Sequence, residues 1–513
     1  MTLVRACQSH AKFRSANLAT IDGPTGQTWL EFVERISRAA AGLMGQGVKN
    51  GDRVGILALN SADYLALQVA VWSIGAVVVP MNIRWSTDEN LYSARDSGMT
   101  LLAADATFGA AALAVQASLT EIKLISFDPD ARTPFGTFER LVAEHEPVDA
   151  IEASSRELAG IYYTGGTTGF PKGAMLTHEA LVAASLGLLS TLRADDSSRA
   201  LHAAPMFHLA DGALCHAMLL LGACNIYIPR FEAGATMDAV ERYGVTHTLL
   251  VPTMIGLLLS DPSYEPQRLS SLEALLFGAS PMNASLLAQL QSDLAHLRPI
   301  HCYDQTEMGP LVSFLDPRHQ RAGDPKALSI GKPFPAVDVR IVDDEGAEAP
   351  IGQPGEILAR GPNMMRGYWN KPDETAAAMS GNWIRTGDVA FRDADGFMFT
   401  CDRAKDMIIT GGENVFSAEV ENAIAAHPAV AQVAVIGIPD PDYGERVHAV
   451  IVTRTGETID QAALHAHCRP LIANYKCPRS MNLRAELPIS GAGKILKRDL
   501  REPYWQGHAR GVN

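Results

Sequence analysis

Residues 61–80, SADYLALQVAVWSIGAVVVP, carry one charged side chain, Asp63, and stay apolar through both halves. The first half has no polar face, so it reads as a helix buried all round and closed by Gly75. The second half is a short β-branched run without alternation, the mark of a strand covered on both faces. A buried helix feeding a buried strand needs protein on every side, which a layered α/β fold supplies. A membrane span is the poorer reading, because Gly75 and Pro80 break the run at the lengths of a core helix and a strand.

The same order returns along the chain. GDRVGILAL (51–59) reads as turn then strand, and RFEAGATMDAVERYGVTHTLLVP (230–252) as helix, glycine stop and buried strand. Strands alternating with crossover helices predict mainly parallel sheets. After about residue 330 the texture changes. VDVRIVDDEG, GEILARG and DGFMFTCDRAKDMIITGG are short alternating strands joined by Gly and Asp turns, a smaller β-rich unit. The rest is long enough for a domain of its own. The expected division is a large domain over 1–402, with layered α/β sheets and the β-rich unit, and a small mobile α+β domain over 403–513.

Composition limits the partners. Formal net charge is −14, and no dense basic run is present, which argues against nucleic acid. The seven cysteines are scattered without a CxxC pair, as free thiols in a reducing compartment would be. The opening MTLVRACQSHAKFRS lacks an apolar signal core, so a cytoplasmic protein without an integral membrane segment is expected.

YYTGGTTGFPKGAM (162–175) is too polar and flexible to pack a core. Thr164, Gly165, Gly166, Thr167, Thr168 and Gly169 offer closely spaced backbone N–H groups and hydroxyls to an anion, and Lys172 adds a point charge. The Walker pattern fails, because Pro171 precedes that lysine and Gly173 follows it. A solvated surface loop is the bland alternative, and the length and order of the motif favour a phosphate cradle.

Further motifs follow in a fixed order: PMFH (205–208), FGASPM (277–282), YDQTEMG (303–309), RTGD (385–388), DRAKDMIITGGENV (402–415) and LPISGAGKILKRDLR (487–501). Together with the glycine loop they resemble the adenylate-forming superfamily, and most closely its AMP-dependent acid–CoA ligases. The resemblance implies roles. Thr164 to Gly169 and Lys172 would hold the β/γ-phosphates of ATP. Gly278, Ala279 and Ser280 would lie beside adenine, with Tyr303 stacked on it and Asp304 at the position the family gives to glycine. Thr306 would contact the α-phosphate, and Glu307 with Thr168 would ligate Mg²⁺. Asp388 would hold the ribose, and Arg403 the ribose or phosphate. Lys405 falls at the hinge, Gly411 and Gly412 in the loop serving coenzyme A, and Lys494 at the catalytic lysine. His208, Thr253, Phe277 and Met308 would line the acyl pocket, with His208 also counted among the catalytic groups.

Gly165 replaces a serine of the family pattern, Ile489 a basic residue and Ser490 a threonine. For Asp304 two orientations stay open, outward or into the pocket. The implied activity is ATP-dependent formation of an acyl-adenylate from an apolar fatty or aryl-substituted acid, with release of pyrophosphate. Transfer to coenzyme A with release of AMP follows, and GGENVFSAEVE resembles the free-standing coenzyme A ligases. The alternatives are loading of a discrete carrier protein, or a nucleotide-binding homologue impaired in catalysis. The expected partners are a small carboxylic acid, ATP and coenzyme A, with a homodimer left open.

Overall fold

The computed structural model describes residues 2–133, 135–151, 154–164, 171–279, 282, 284–343, 345–403, 406–411, 413–489 and 495–506. The chain forms two compact units: Met1–Val339 with Ala359–Ile384, and Arg340–Leu358 with Arg385–Asn513. This division falls earlier in the chain than the expected boundary at 402/403. It runs through strands Asp338–Val342, Gly355–Arg360 and Trp383–Arg392, which belong to one five-stranded sheet.

Two further sheets build the first unit. A six-stranded sheet has the order Lys123–Ser126, Met99–Ala104, Arg53–Leu57, Val77–Pro80, Leu158–Thr164, Lys172–Thr177. All its pairs are parallel except the last. A nine-stranded sheet has a parallel centre, Arg298–Asp304, Ala274–Phe277, His247–Leu249, Arg199–His202, Cys224–Tyr227 and Leu18–Asp22, with antiparallel strands added at both ends.

Side-chain alternation shows how the sheets are layered. Val54, Ile56, Val78, Leu101 and Ala103 of the first sheet share one core with Ala200, Ala274, Leu276 and Ile300 of the second. That core also takes nearly every residue of the helix Ala62–Ser73, together with buried faces of His178–Leu192 and Leu209–Leu221. These helices therefore fill the layer between the sheets, as the largely apolar sequence 61–80 predicts for the first of them. Residues of the opposite parity, such as Val77, Val79 and Leu102, or Leu201, Leu275 and Phe277, enter separate outer cores. Helix starts are set locally: Thr28 with Glu31, and Ser86 with Glu89, form reciprocal caps.

The second unit holds the sheet Glu413–Val415, Ile408–Thr410, Gly444–Thr453, Val430–Asp440, with Ser480–Leu483 added in parallel to Gly444–Thr453. Val420, Ile424 and Leu464 cover one face through the helices Ser417–Ala425 and Gln461–Cys468. Leu500 of the helix Lys497–Trp505 covers the other beside Ala434 and Ile436. All seven cysteines are free thiols. Among the described residues no helix is long and apolar enough to cross a membrane.

Candidate active site

The glycine loop joins two antiparallel strands, with Thr164 and Lys172 as Cα partners at its mouth. A strand-to-helix phosphate loop presents a helix N-terminus to its anion. Among the described residues the next helix starts at His178, capped by Thr177. Gly165, Gly166, Thr167, Thr168 and Gly169 lie outside the described residues. On the free edge of the second strand runs segment 366–369. Arg366 N–H donates to Met175 O and Met175 N–H to Gly367 O, both at 2.9 Å, and Trp369 N–H to Gly173 O at 2.8 Å. A Cβ on Gly173 would stand 2.5 Å from Ile161 Cγ2, so this close layering requires glycine.

That edge segment carries Tyr368 to the end of the other sheet. Thr306 and Glu307 sit in a 3₁₀ turn, Thr306–Met308, directly after the strand Arg298–Asp304. Tyr368 Oη donates to Glu307 Oε1 at 2.6 Å, and Lys172 Nζ stands 5.3 Å from the centre of the same ring. Burial, and then the charge of Glu307, push the Tyr368 hydroxyl well above the usual phenol range, so it stays a donor. Met365 N–H donates to Glu307 O at 2.8 Å, and the Asn363 amide donates to Leu311 O at 2.7 Å. A carboxylate that is only 7% exposed is thus held by one phenol that also carries a lysine on its face.

Tyr303 is half-buried against the inter-sheet core. Asp304 Oδ1 lies 3.1 Å from where a Cβ on Gly278 would stand, on the neighbouring strand end. Cys302 O is 2.8 Å from that same point, so Gly278 has no room for a side chain. Ala279 follows in the left-handed region, at φ 67°. A non-glycine residue held there at a strand end stores backbone strain. Ser280 lies outside the described residues. Phe277 is fully buried in an outer core, stacked on His301 with centroids 4.8 Å apart, and Met308 is fully buried in the inter-sheet core. Thr253 is exposed in the first turn of the helix Pro252–Leu259.

His208 is half-buried at the cap of the helix Leu209–Leu221, with its ring 4.6 Å from that of Phe207. The loop before it is fastened by Asn60, which follows a strand of the other sheet. The Asn60 amide donates to His202 O at 3.1 Å and Ala204 O at 2.9 Å, and its oxygen accepts from Met206 N–H at 2.9 Å. One turn into the helix, buried Asp211 Oδ2 stands 2.9 Å from His202 Nδ1, and His202 Nε2 stands 2.8 Å from Asn225 Oδ1. Burial pushes the Asp211 carboxyl up, opposed by His202. Asp211 lies in the first turn of the helix that His208 caps, and His202 and Asn225 lie on the strands beneath it.

In the second unit, Asp388 and Arg403 are Cα partners on adjacent antiparallel strands. Glu356 braces RTGD within the strand Trp383–Arg392, its Oε1 accepting from Gly387 N–H at 3.2 Å, while the Thr386 hydroxyl donates to Ile357 O at 2.8 Å. Gly411 has φ 62°, and its N–H donates to Tyr443 O at 2.9 Å. Lys405, Gly412 and Lys494 lie outside the described residues, as does the side chain of Arg403.

Sequence reasoning missed Tyr368, Asn60 and Glu356. RGYW (366–369) had an aromatic signal, but nothing local says that its edge meets the glycine-loop strand. Asn60 stands at a strand end like any turn-former, and Glu356 opens an ordinary alternating strand.

A family model described as AMP-binding enzyme matches residues 7–369, and one described as AMP-binding enzyme C-terminal domain matches residues 419–494. The chain is 39% identical over 94% of its length to a feruloyl-CoA synthase of an Amycolatopsis species, covering 95% of that protein. It is 33% identical over 93% of its length to an indoleacetate–CoA ligase of Aromatoleum aromaticum, again covering 95%. The ATP-bound crystal structure of MatB from Rhodopseudomonas palustris superposes with a TM-score of 0.90 at 28% identity, over 99% of this chain and 100% of that one.

Proposed function

The chain belongs to the AMP-binding enzymes and is an acid–CoA ligase, and on that premise we propose that it activates an aryl-substituted carboxylic acid as its adenylate before passing the acyl group to coenzyme A. A carboxylate is a poor acyl donor, because its oxygen is a bad leaving group. Its attack on the α-phosphorus of ATP forms the acyl–phosphate bond and breaks the bond to the pyrophosphate oxygen. The coenzyme A sulfur, having lost its proton, then attacks the acyl carbon to form the thioester, and AMP departs with the bonding pair of the anhydride C–O bond.

The first step brings two anions together, so positive charge aimed at the transition state dominates its rate. The observation that carries the reading is the alignment of Lys172 and Glu307 on Tyr368. It sets a cation and a carboxylate from two different sheets beside one ring. Lys172 and the glycine loop serve the departing β/γ-phosphates. Glu307 suits a hard dication: Tyr368 engages Oε1, and Oε2 is the oxygen that would take Mg²⁺, with Thr168 as the second ligand. Bound there, Mg²⁺ would neutralise phosphate charge.

Tyr303 stacks on adenine, Thr306 meets the α-phosphate, and Asp388 with Arg403 holds the ribose. Lys494 serves the adenylation step and the Gly411–Gly412 loop the thioester step, with Lys405 as the hinge that exchanges them. The names of the two relatives favour an aryl over a fatty acid, and the adjoining Phe207 and His208 rings offer an aromatic wall for it.

The test is release of AMP and pyrophosphate across cinnamic, arylacetic and medium-chain fatty acids, with and without coenzyme A. Acid-dependent AMP with an aryl preference is expected. ADP as product, or AMP formation indifferent to added acid, would sink the reading.

A further inference from the structure

We propose that Tyr368 is a positioning residue for adenylation, one phenol that fixes both the Glu307 carboxylate and the Lys172 ammonium. The proposal rests on the reading of Glu307 as the carboxylate that takes the dication.

Three features carry it. The first is the hydrogen bond from Tyr368 Oη to Glu307 Oε1 at 2.6 Å, a short contact of the charge-assisted kind. It holds the carboxylate in one orientation and so directs its second oxygen. The second is Lys172 Nζ at 5.3 Å from the ring centre, within cation–π range. A phenol that donates to a carboxylate gains electron density in its ring. The two contacts therefore strengthen one another.

The third is rigidity of the support. Tyr368 N–H donates to Thr375 Oγ1 at 2.8 Å, and that hydroxyl donates to Lys371 O at 2.7 Å. The residues on either side pair with the strand Lys172–Thr177. Main chain thus pins the tyrosine from both sides, so the ring can act as a fixed post between the glycine-loop strand and the turn carrying Glu307.

Tyr368→Phe removes the hydroxyl and keeps the ring. Its apparent Mg²⁺ requirement for pyrophosphate release should rise about tenfold, the loss of one hydrogen bond to a charged group. Saturating Mg²⁺ should restore most of kcat, and thioester formation from supplied acyl-adenylate should stay at the wild-type rate. Tyr368→His keeps a donor and a π face and should lie between the two, which supplies a second readout if the phenylalanine variant does not fold.

Glu307→Gln separates the two claims. If it leaves Mg²⁺ dependence unchanged, the reading of Glu307 fails and the proposal with it. If it raises the Mg²⁺ requirement while both tyrosine variants keep the wild-type requirement, the proposal alone is overturned. A loss of rate in Tyr368→Phe that is equal at every Mg²⁺ concentration also overturns it.

Discussion

Asn60 Oδ1 accepts a hydrogen bond from Met206 N–H at 2.9 Å while the same side-chain amide donates to His202 O and Ala204 O. One side chain at the end of a strand in the six-stranded sheet thereby ties down the loop leading to His208 from the other sheet. Asn60→Ala leaves Ala204 O and Met206 N–H without this partner, while His202 O keeps the hydrogen bond from Ile228 N–H at 3.4 Å. The expected cost is about 2–4 kcal/mol in urea unfolding, since each orphaned buried polar group costs roughly 1–3 kcal/mol and the loop relaxes in part. The KM for the acid should rise more than the KM for ATP. A variant as stable as wild type would show that the tie contributes nothing.

Ala279 offers the opposite sign. Its φ of 67° disfavours any residue with a Cβ by roughly 1–2 kcal/mol. Ala279→Gly should relieve that strain and stabilise the protein by about 1 kcal/mol, less what the greater freedom of glycine costs in the unfolded chain. Thermal unfolding reads this directly, and a lowered Tm would contradict it.

Acid should weaken the fold by a defined route. Burial pushes His178 and His301 down from 6.5 to about 4, and His216 to about 3. Between the unfolded value and these folded ones the unfolded chain binds a proton that the native protein does not. Stability is therefore full above about pH 6.5 and falls as pH drops below it. His178 and His301 each withdraw up to roughly 3 kcal/mol across their window and His216 up to roughly 5 kcal/mol, at about 1.4 kcal/mol per unit. The urea midpoint should decline between about pH 6.5 and about pH 5, and His216→Gln should decline less steeply. Equal slopes for the two proteins would refute the assignment.

The two half-reactions should separate at Lys494. Lys494→Ala should slow pyrophosphate release by about a hundredfold or more, the usual scale for losing a charge aimed at the transition state. Thioester formation from supplied acyl-adenylate should change far less. Equal losses in both assays would end the proposed division of labour.

Much of the fold was legible locally. The helix and strand in 61–80, the glycine stop at Gly244 and the short strands after residue 330 all stand where their periodicity puts them. The boundary between compact units was not legible, because it runs through strands that are continuous in sequence. The motifs place Phe277 and Met308 beside the acyl group, and strand parity and packing decide which core each enters, an outer one for Phe277 and the inter-sheet one for Met308.

Sequence alone carries the layered α/β class, the order of the motifs and the chemistry each residue type can perform, since these depend on spacing along the chain. Which side chains meet depends instead on sheet order and register. Lys172 and Glu307 lie in separate motifs, and only the pairing of segment 366–369 with the strand Lys172–Thr177 sets Tyr368 between them. The direction of Asp304 is likewise a matter of the neighbouring strand end, where Gly278 leaves the space its carboxylate approaches. Local periodicity fixes a face, and only packing across sheets assigns that face a neighbour.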